Sequence, residues 1–218
     1  MKSVVLLSSG LDSTVNLFAA REKSEVVLAL TFNYGQRAAS KEIQRAKAIA
    51  DLVGVRHQVV ELPWFSEFTR TSLVNSSIDV PVHEKVSIDD FEVSTNTAAA
   101  VWVPNRNGIF LNIAAAYAEG LGAQWIIPGF NAEEAVTFAD NSQEYLEAAT
   151  ESLRFSTQNQ VRVQCFTTQK NKTEIVQLGK SLDVPFDLIW PCYFGGDSPC
   201  GECESCQRFA RAMKNGLV

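Results

Sequence analysis

Short apolar runs alternate with helical periods along nearly the whole chain, and this alternation restricts the fold more than any single motif does. Runs of strand length occupy residues 4–7, 26–32, 57–62, 125–127 and 161–166. Between the second and third, Ile43, Ala46, Ile49, Ala50 and Val53 recur at helical spacing, and Gly54 stands where a helix C-cap falls. Residues 109–121 form an alanine-rich helical stretch ending in EGLG, and 145–153 and 173–182 are shorter amphipathic segments. Strands alternating with helices predict βαβ units, hence an α/β fold with a doubly wound, mainly parallel sheet. In such sheets ligands bind beyond the carboxyl ends of the strands. Residues 63–107 break the pattern, being polar, mixed and too long for a plain connection, and are expected to form an irregular lid. Trp64, Phe65, Phe68 and Phe91 give that lid something to bury.

The first apolar run ends in SSGLDST, residues 8–14, before a helical segment begins. A bland turn needs fewer hydroxyls. A helix N-terminus offers unpaired backbone N–H groups and the positive end of its dipole. Gly10 permits close approach, and Ser8, Ser13 and Thr14 add hydroxyl donors, so the stretch reads as a cradle for phosphate oxygens. Ordinary N-capping by Asp12 or Ser13 is the plain alternative. Gly179-Lys180-Ser181 resembles the end of a P-loop, but Glu174 stands where its first glycine belongs.

Four of the five cysteines fall in CYFGGDSPCGECESC: Cys192, Cys200, Cys203 and Cys206. In a chain expected to be cytoplasmic, this density points to metal rather than disulfides. Four thiolates complete a tetrahedral zinc site with no open position, so one structural Zn2+ per chain is expected, with an iron–sulfur cluster as the alternative. Cys165 reads as a core residue. The cytoplasmic expectation rests on a first segment without a secretory pattern and on apolar runs far shorter than the roughly 20 residues a bilayer requires. A net charge of -6 argues against a broad nucleic-acid surface, and neither nucleic acid nor membrane is expected as a partner. At 218 residues and 46% hydrophobic content, the chain supports one substantial core.

SSGLDST resembles the S-G-G-x-D-S-[ST] loop of the PP-loop ATP pyrophosphatases, which split ATP into AMP and pyrophosphate. Ser9 stands where that superfamily usually has its first glycine, so the loop either avoids positive φ here or carries strain. NYGQR (33–37), VPNRNGIFLNIAAAYAEGLGA (103–123), NKTEIVQLG (171–179) and the cysteine knuckle occur in the order found in the 7-cyano-7-deazaguanine synthases, and the resemblance covers nearly the whole chain. It implies a Rossmann-like PP-loop domain over residues 1–190 and a zinc-binding segment over 191–218 packed on it. It also implies ATP with Mg2+ as co-substrate, bound along Leu7, Ser8, Ser9, Gly10, Leu11, Asp12, Ser13, Thr14, Val15, Asn16 and Leu17. Asp12, Ser13 and Lys172 are the implied catalytic residues. Tyr34, Gln36, Arg37, Arg106, Asn107, Asn131 and Asp140 are the implied substrate contacts, and a homodimer is implied.

The activity implied is ATP-dependent conversion of 7-carboxy-7-deazaguanine and ammonia to the nitrile. Surface salt bridges for Arg37 and Arg106, and an exposed lysine for Lys172, are the plain alternatives. One stretch departs from the resemblance. Many members continue N-x-x-D-Y-S-G-Y-P-D-C-R, whereas this chain reads NAEEAVTFADNS over 131–142, with Ser142 in place of arginine. Asn131 and Asp140 still align, and Asp140 or Glu133 would accept hydrogen bonds from a guanine-like base, with Phe138 or Phe32 as an apolar wall. Rival readings are an enzyme that stops at the amide or joins the carboxylate to another amine, a sulfur-inserting tRNA enzyme, and a non-enzymatic nucleotide-binding zinc protein.

Overall fold

In the computed structural model, which describes residues 1–83, 86–88 and 90–217, the apolar runs become five parallel strands. They are β1 (Lys2–Leu6), β2 (Glu25–Asn33), β3 (His57–Glu61), β4 (Trp125–Ile127) and β5 (Arg162–Val163), in the order β3-β2-β1-β4-β5. Parallel strands read as continuous apolar runs because both faces are covered. Val4 and Val5 are both fully buried, yet each packs into a different core.

On the Val4 face lie α5 (Arg106–Gly120), through Leu111, Ala114 and Ala118, and α7 (Gln143–Ser156), through Leu146 and Leu153. On the Val5 face lie α1 (Leu11–Lys23), α2 (Ala39–Leu52), α8 (Lys172–Ser181) and α9 (Glu204–Gly216). The chain winds outward from β1 through β2 to β3, then returns to β4 on the other side. That reversal places the loop after β1 at the switch point, where a crevice opens.

One plain alternative fails and two local expectations are corrected. Helix α1 starts at Leu11 with Gly10 as its N-cap and no side-chain capping bond, so neither Asp12 nor Ser13 caps it. The fifth run is a strand only at Arg162 and Val163. Its partner β4 is three residues long, and beyond Gln164, whose N–H donates to the Ile126 carbonyl, no ladder is left to join. Residues 63–107 are not irregular throughout. They include α3 (Phe65–Phe68) and α4 (Phe91–Val101). Phe65 is fully buried with Trp64 stacked on it at 4.5 Å, whereas Phe68 is half exposed and the Phe91 side chain lies outside the described ones. Among the described residues, no helix is long and apolar enough to cross a membrane.

Candidate active site

The loop between β1 and α1 is held by its own hydroxyls. Ser8 N–H donates to Ser13 Oγ at 3.2 Å, and Ser13 Oγ donates to the Gly10 carbonyl at 3.1 Å. Ser9 sits at φ 62°, so the loop adopts the left-handed conformation that a glycine would take without cost. Gly129, after β4, crosses directly over this loop. A Cβ there would lie 2.5 Å from Ser13 N, so only glycine lets β4 approach the N-terminus of α1 so closely.

A cavity of about 280 Å³ opens above the loop. The end over the loop is lined by Leu7, Ser8, Gly10, Leu11, Asp12, Ser13 and Gly129. Uncapped first-turn amides of α1 and two serine hydroxyls are the donors with which this end could receive an anion. Ser9, Thr14, Val15, Asn16 and Leu17 do not line it. Val15 and Leu17 are core, and Asn16 ties α1 to the segment that follows β5 by donating to Thr167 Oγ1 and accepting from Phe166 N–H.

Lys172 opens α8, whose capping box of Asn171 and Glu174 fixes the direction in which the helix starts. Its ammonium donates to Asp12 Oδ2 at 2.5 Å and Glu134 Oε1 at 2.7 Å, and the residue is only 8% exposed. Burial works against the ammonium, but the two carboxylates more than offset it and raise its pKa. Burial pushes Asp12 up to about 6, with Lys172 pulling the other way. Glu134 is held below its usual range because Lys172 overrides its burial. Asp12 Oδ1, buried, has no hydrogen-bond partner among the described residues. A buried carboxylate oxygen left unpaired is costly and suits a cation delivered with the ligand.

The other end of the cavity is aromatic. Phe32 and Phe110 stack at 4.0 Å, and Tyr34, Leu73, Val101, Trp102, Val103 and Phe138 continue the wall. Trp102 and Phe138 stack in parallel at 5.9 Å, bringing the end of the 63–107 segment against the 131–142 segment. Arg106 lies over the Tyr34 ring and donates to its hydroxyl at 3.4 Å; Asn107 and Asp140 line the cavity beside it.

Three implied substrate contacts lie elsewhere. Arg37 spends its guanidinium on the carbonyls of Ser72, Asn75 and Ile78. Gln36 accepts from Tyr34 N–H and donates to the Phe32 carbonyl and Glu42. Asn131 caps α6 (Ala132–Ala135) by accepting from Glu134 N–H. None of the three lines the cavity, and neither does Glu133, whose carboxylate is taken by Arg208, Arg211 and Lys172 N–H. Glu134, Glu42 and Gly129 line it and were not singled out from sequence. The signal for Gly129 was its place just beyond a strand, in PGF.

The four knuckle thiols converge, with all Sγ atoms within 4.8 Å of one another. Phe194 and Cys200 N–H donate to Cys192 Sγ, and Glu202 and Cys203 N–H to Cys200 Sγ, at 3.3–3.4 Å. Amides pointing at sulfur favour thiolate, so the four cysteines have both the donor chemistry and the spacing to hold a metal ion.

Sheet order, loop and cavity together define a PP-loop-type α/β protein. The fold is shared with a 4-thiouridine synthetase solved with RNA and bound ATP (TM-score 0.53, 17% identity, 99% of this chain and 50% of that one). It is also shared with the U34-tRNA thiolase NcsA from Methanococcus maripaludis with its [4Fe-4S] cluster (TM-score 0.50, 17% identity, 99% and 67%). The Queuosine biosynthesis protein QueC family matches residues 2–216. A 7-cyano-7-deazaguanine synthase from Bdellovibrio bacteriovorus is 60% identical over all of this chain and 94% of its own length. One from Methanosarcina mazei is 46% identical over 99% and 94%. The chain belongs to the Queuosine biosynthesis protein QueC family.

Proposed function

We propose that this protein is a 7-cyano-7-deazaguanine synthase that converts 7-carboxy-7-deazaguanine and ammonia to the nitrile at the expense of two ATP. The carrying observation is that an anion cradle and an aromatic compartment share one cavity, with Lys172 at the cradle. The substrate carboxylate attacks the α-phosphorus of ATP, breaking the α–β bond and releasing pyrophosphate. Ammonia then displaces AMP and leaves the amide. The amide oxygen attacks a second ATP, pyrophosphate leaves again, and loss of AMP with the amide protons forms the carbon–nitrogen triple bond. The amides of α1, Ser8, Ser13 and Lys172 stabilise the charge that grows on the departing pyrophosphate. Asp12 and Glu134 are the carboxylates that would hold Mg2+, which would neutralise phosphate charge.

The knuckle holds one structural Zn2+ on this reading. A single tetrahedral ion with sulfur about 2.3 Å away keeps four thiolates within about 4 Å of each other, close to the packing of these four Sγ atoms. The enzyme acts on small molecules in the cytoplasm as a homodimer, without nucleic acid. Incubation with 7-carboxy-7-deazaguanine, ammonium and Mg-ATP should yield the nitrile and AMP. Substrate-dependent ADP in place of AMP would overturn the reading.

A further inference from the structure

Glu42 lines the cavity from the first turn of α2, beside Tyr34 and Arg106. Gln36 Nε2 donates to its Oε2 at 2.7 Å, and no cation pairs with it among the described residues. A buried carboxylate with one neutral hydrogen-bond partner, its burial opposed only by Gln36 and the nearby charge of Arg106, is expensive to keep. An acidic residue in a first helical turn ordinarily complements the dipole from solvent. This one is turned inward.

Resting on the functional reading above, we propose that Glu42 is the residue that reads the base, accepting from the ring N–H and exocyclic amine of a guanine-type edge. Two adjacent donors match the two oxygens of one carboxylate. The adenine of ATP sets its amine beside a ring nitrogen that only accepts, so it pairs poorly with a carboxylate. The other acidic candidates are committed elsewhere: Glu133 to two arginines, Glu134 and Asp12 to Lys172. Asp140 lines the same cavity with a neutral partner, Asn141, and faces Arg106, so Asp140→Asn is measured alongside, and loss of the preference there but not in the Glu42 variants overturns the assignment to Glu42. The Phe32–Phe110 pair, which lines the same cavity as Glu42, offers a planar base an aromatic wall. Burial raises the Glu42 pKa to about 6, with Gln36 and Arg106 opposing, as expected of a carboxylate awaiting donors.

The test compares 7-carboxy-7-deazaguanine with the same acid lacking the exocyclic amine, in the zinc-loaded wild type, Glu42→Gln and Glu42→Met. Both kcat/KM and direct calorimetric affinity are measured. The wild type should prefer the amine-bearing base on the order of 100-fold, the scale of a hydrogen bond to a charged group. That preference should shrink in Glu42→Gln and nearly vanish in Glu42→Met, while KM for ATP stays within about twofold. A purely structural Glu42 would weaken both bases equally. Undiminished preference in whichever variant folds, or no preference in the wild type, overturns the proposal. Absence of turnover by a wild type that still discriminates in binding overturns the functional reading and leaves the assignment of Glu42 standing.

Discussion

Ser9 bears two costs at once. A non-glycine residue in the left-handed region is strained by about 1–3 kcal/mol, and its buried hydroxyl has no partner among the described residues. An unpaired buried hydroxyl costs about 1–3 kcal/mol, against roughly 0.5–1 kcal/mol of chain entropy saved by not being glycine. Ser9→Gly should therefore raise unfolding stability by about 1–5 kcal/mol and keep turnover, because the Ser9 side chain does not line the cavity. Urea denaturation and steady-state assay check this, and a less stable glycine variant would refute it. The strain was visible in the sequence as a serine in a glycine's place. Which of its two outcomes held required φ itself. Glu42 gives a second residue-scale expectation. Its folded pKa is raised from 4.5 to about 6, so the free protein pays for ionising it as pH rises through that window. Glu42→Gln should stabilise the free protein by about 1–2 kcal/mol at pH 8 and lose that advantage toward pH 4.5. Denaturation midpoints at the two pH values measure it; equal gains at both would exclude the linkage. Nothing in the local pattern marked Glu42, since an acidic first-turn residue ordinarily faces water.

At the scale of elements, the cysteine knuckle does more than close the C-terminus. Val82 makes an antiparallel bridge with Cys203, and His83 pairs with Glu202 at 3.0 Å. Arg37, which grips the carbonyls of Ser72, Asn75 and Ile78, lies over the Phe194 ring. Trp190 N–H donates to the Ser9 carbonyl and its indole N–H to the Phe194 carbonyl. The knuckle thus joins the 63–107 segment to the phosphate loop. If the knuckle holds the proposed structural zinc, which contributes on the order of 10 kcal/mol in small modules, Cys203→Ser should lower Tm and speed amide exchange over residues 71–83 ahead of the β1–β2 core. Unchanged exchange there, with an unchanged Tm, would refute the coupling. The cysteine spacing alone made the cluster legible. Its partner segment was not, because Val82 and His83 belong to no periodic pattern. Helix α4 was hidden for a related reason. Its FEVSTNTAAAV is rich in β-branched and hydroxyl residues with weak helix propensity, and its end is secured from outside by Thr71 and Ser72 donating to the Ala100 carbonyl. The strands were legible to within a residue or two except β5, whose length is set by the shortness of β4.

For the whole molecule, the switch beside β1 supplies one phosphate cradle, and SSGLDST occurs once in the chain. On the proposed mechanism, two activations of one substrate at one cradle must follow each other, with AMP and pyrophosphate leaving between them. After the first, the bound molecule has changed from a carboxylate to a neutral amide. The amide lacks the charge of the carboxylate and relies on its base contacts for binding. The amide should therefore accumulate when ATP is limiting. With one equivalent of ATP per base and excess ammonium, quenched samples should contain mainly amide. Added ATP should carry that amide to nitrile without further ammonia, with two AMP formed per nitrile in total. The altered 133–142 segment bears on this second step, since Glu134 holds Lys172 and Phe138 walls the base compartment. Nitrile formed with a single AMP would refute sequential activation. Amide as the sole product under excess ATP would instead make this family member an amide synthase, with the segment around Glu134 as the place to look for the cause.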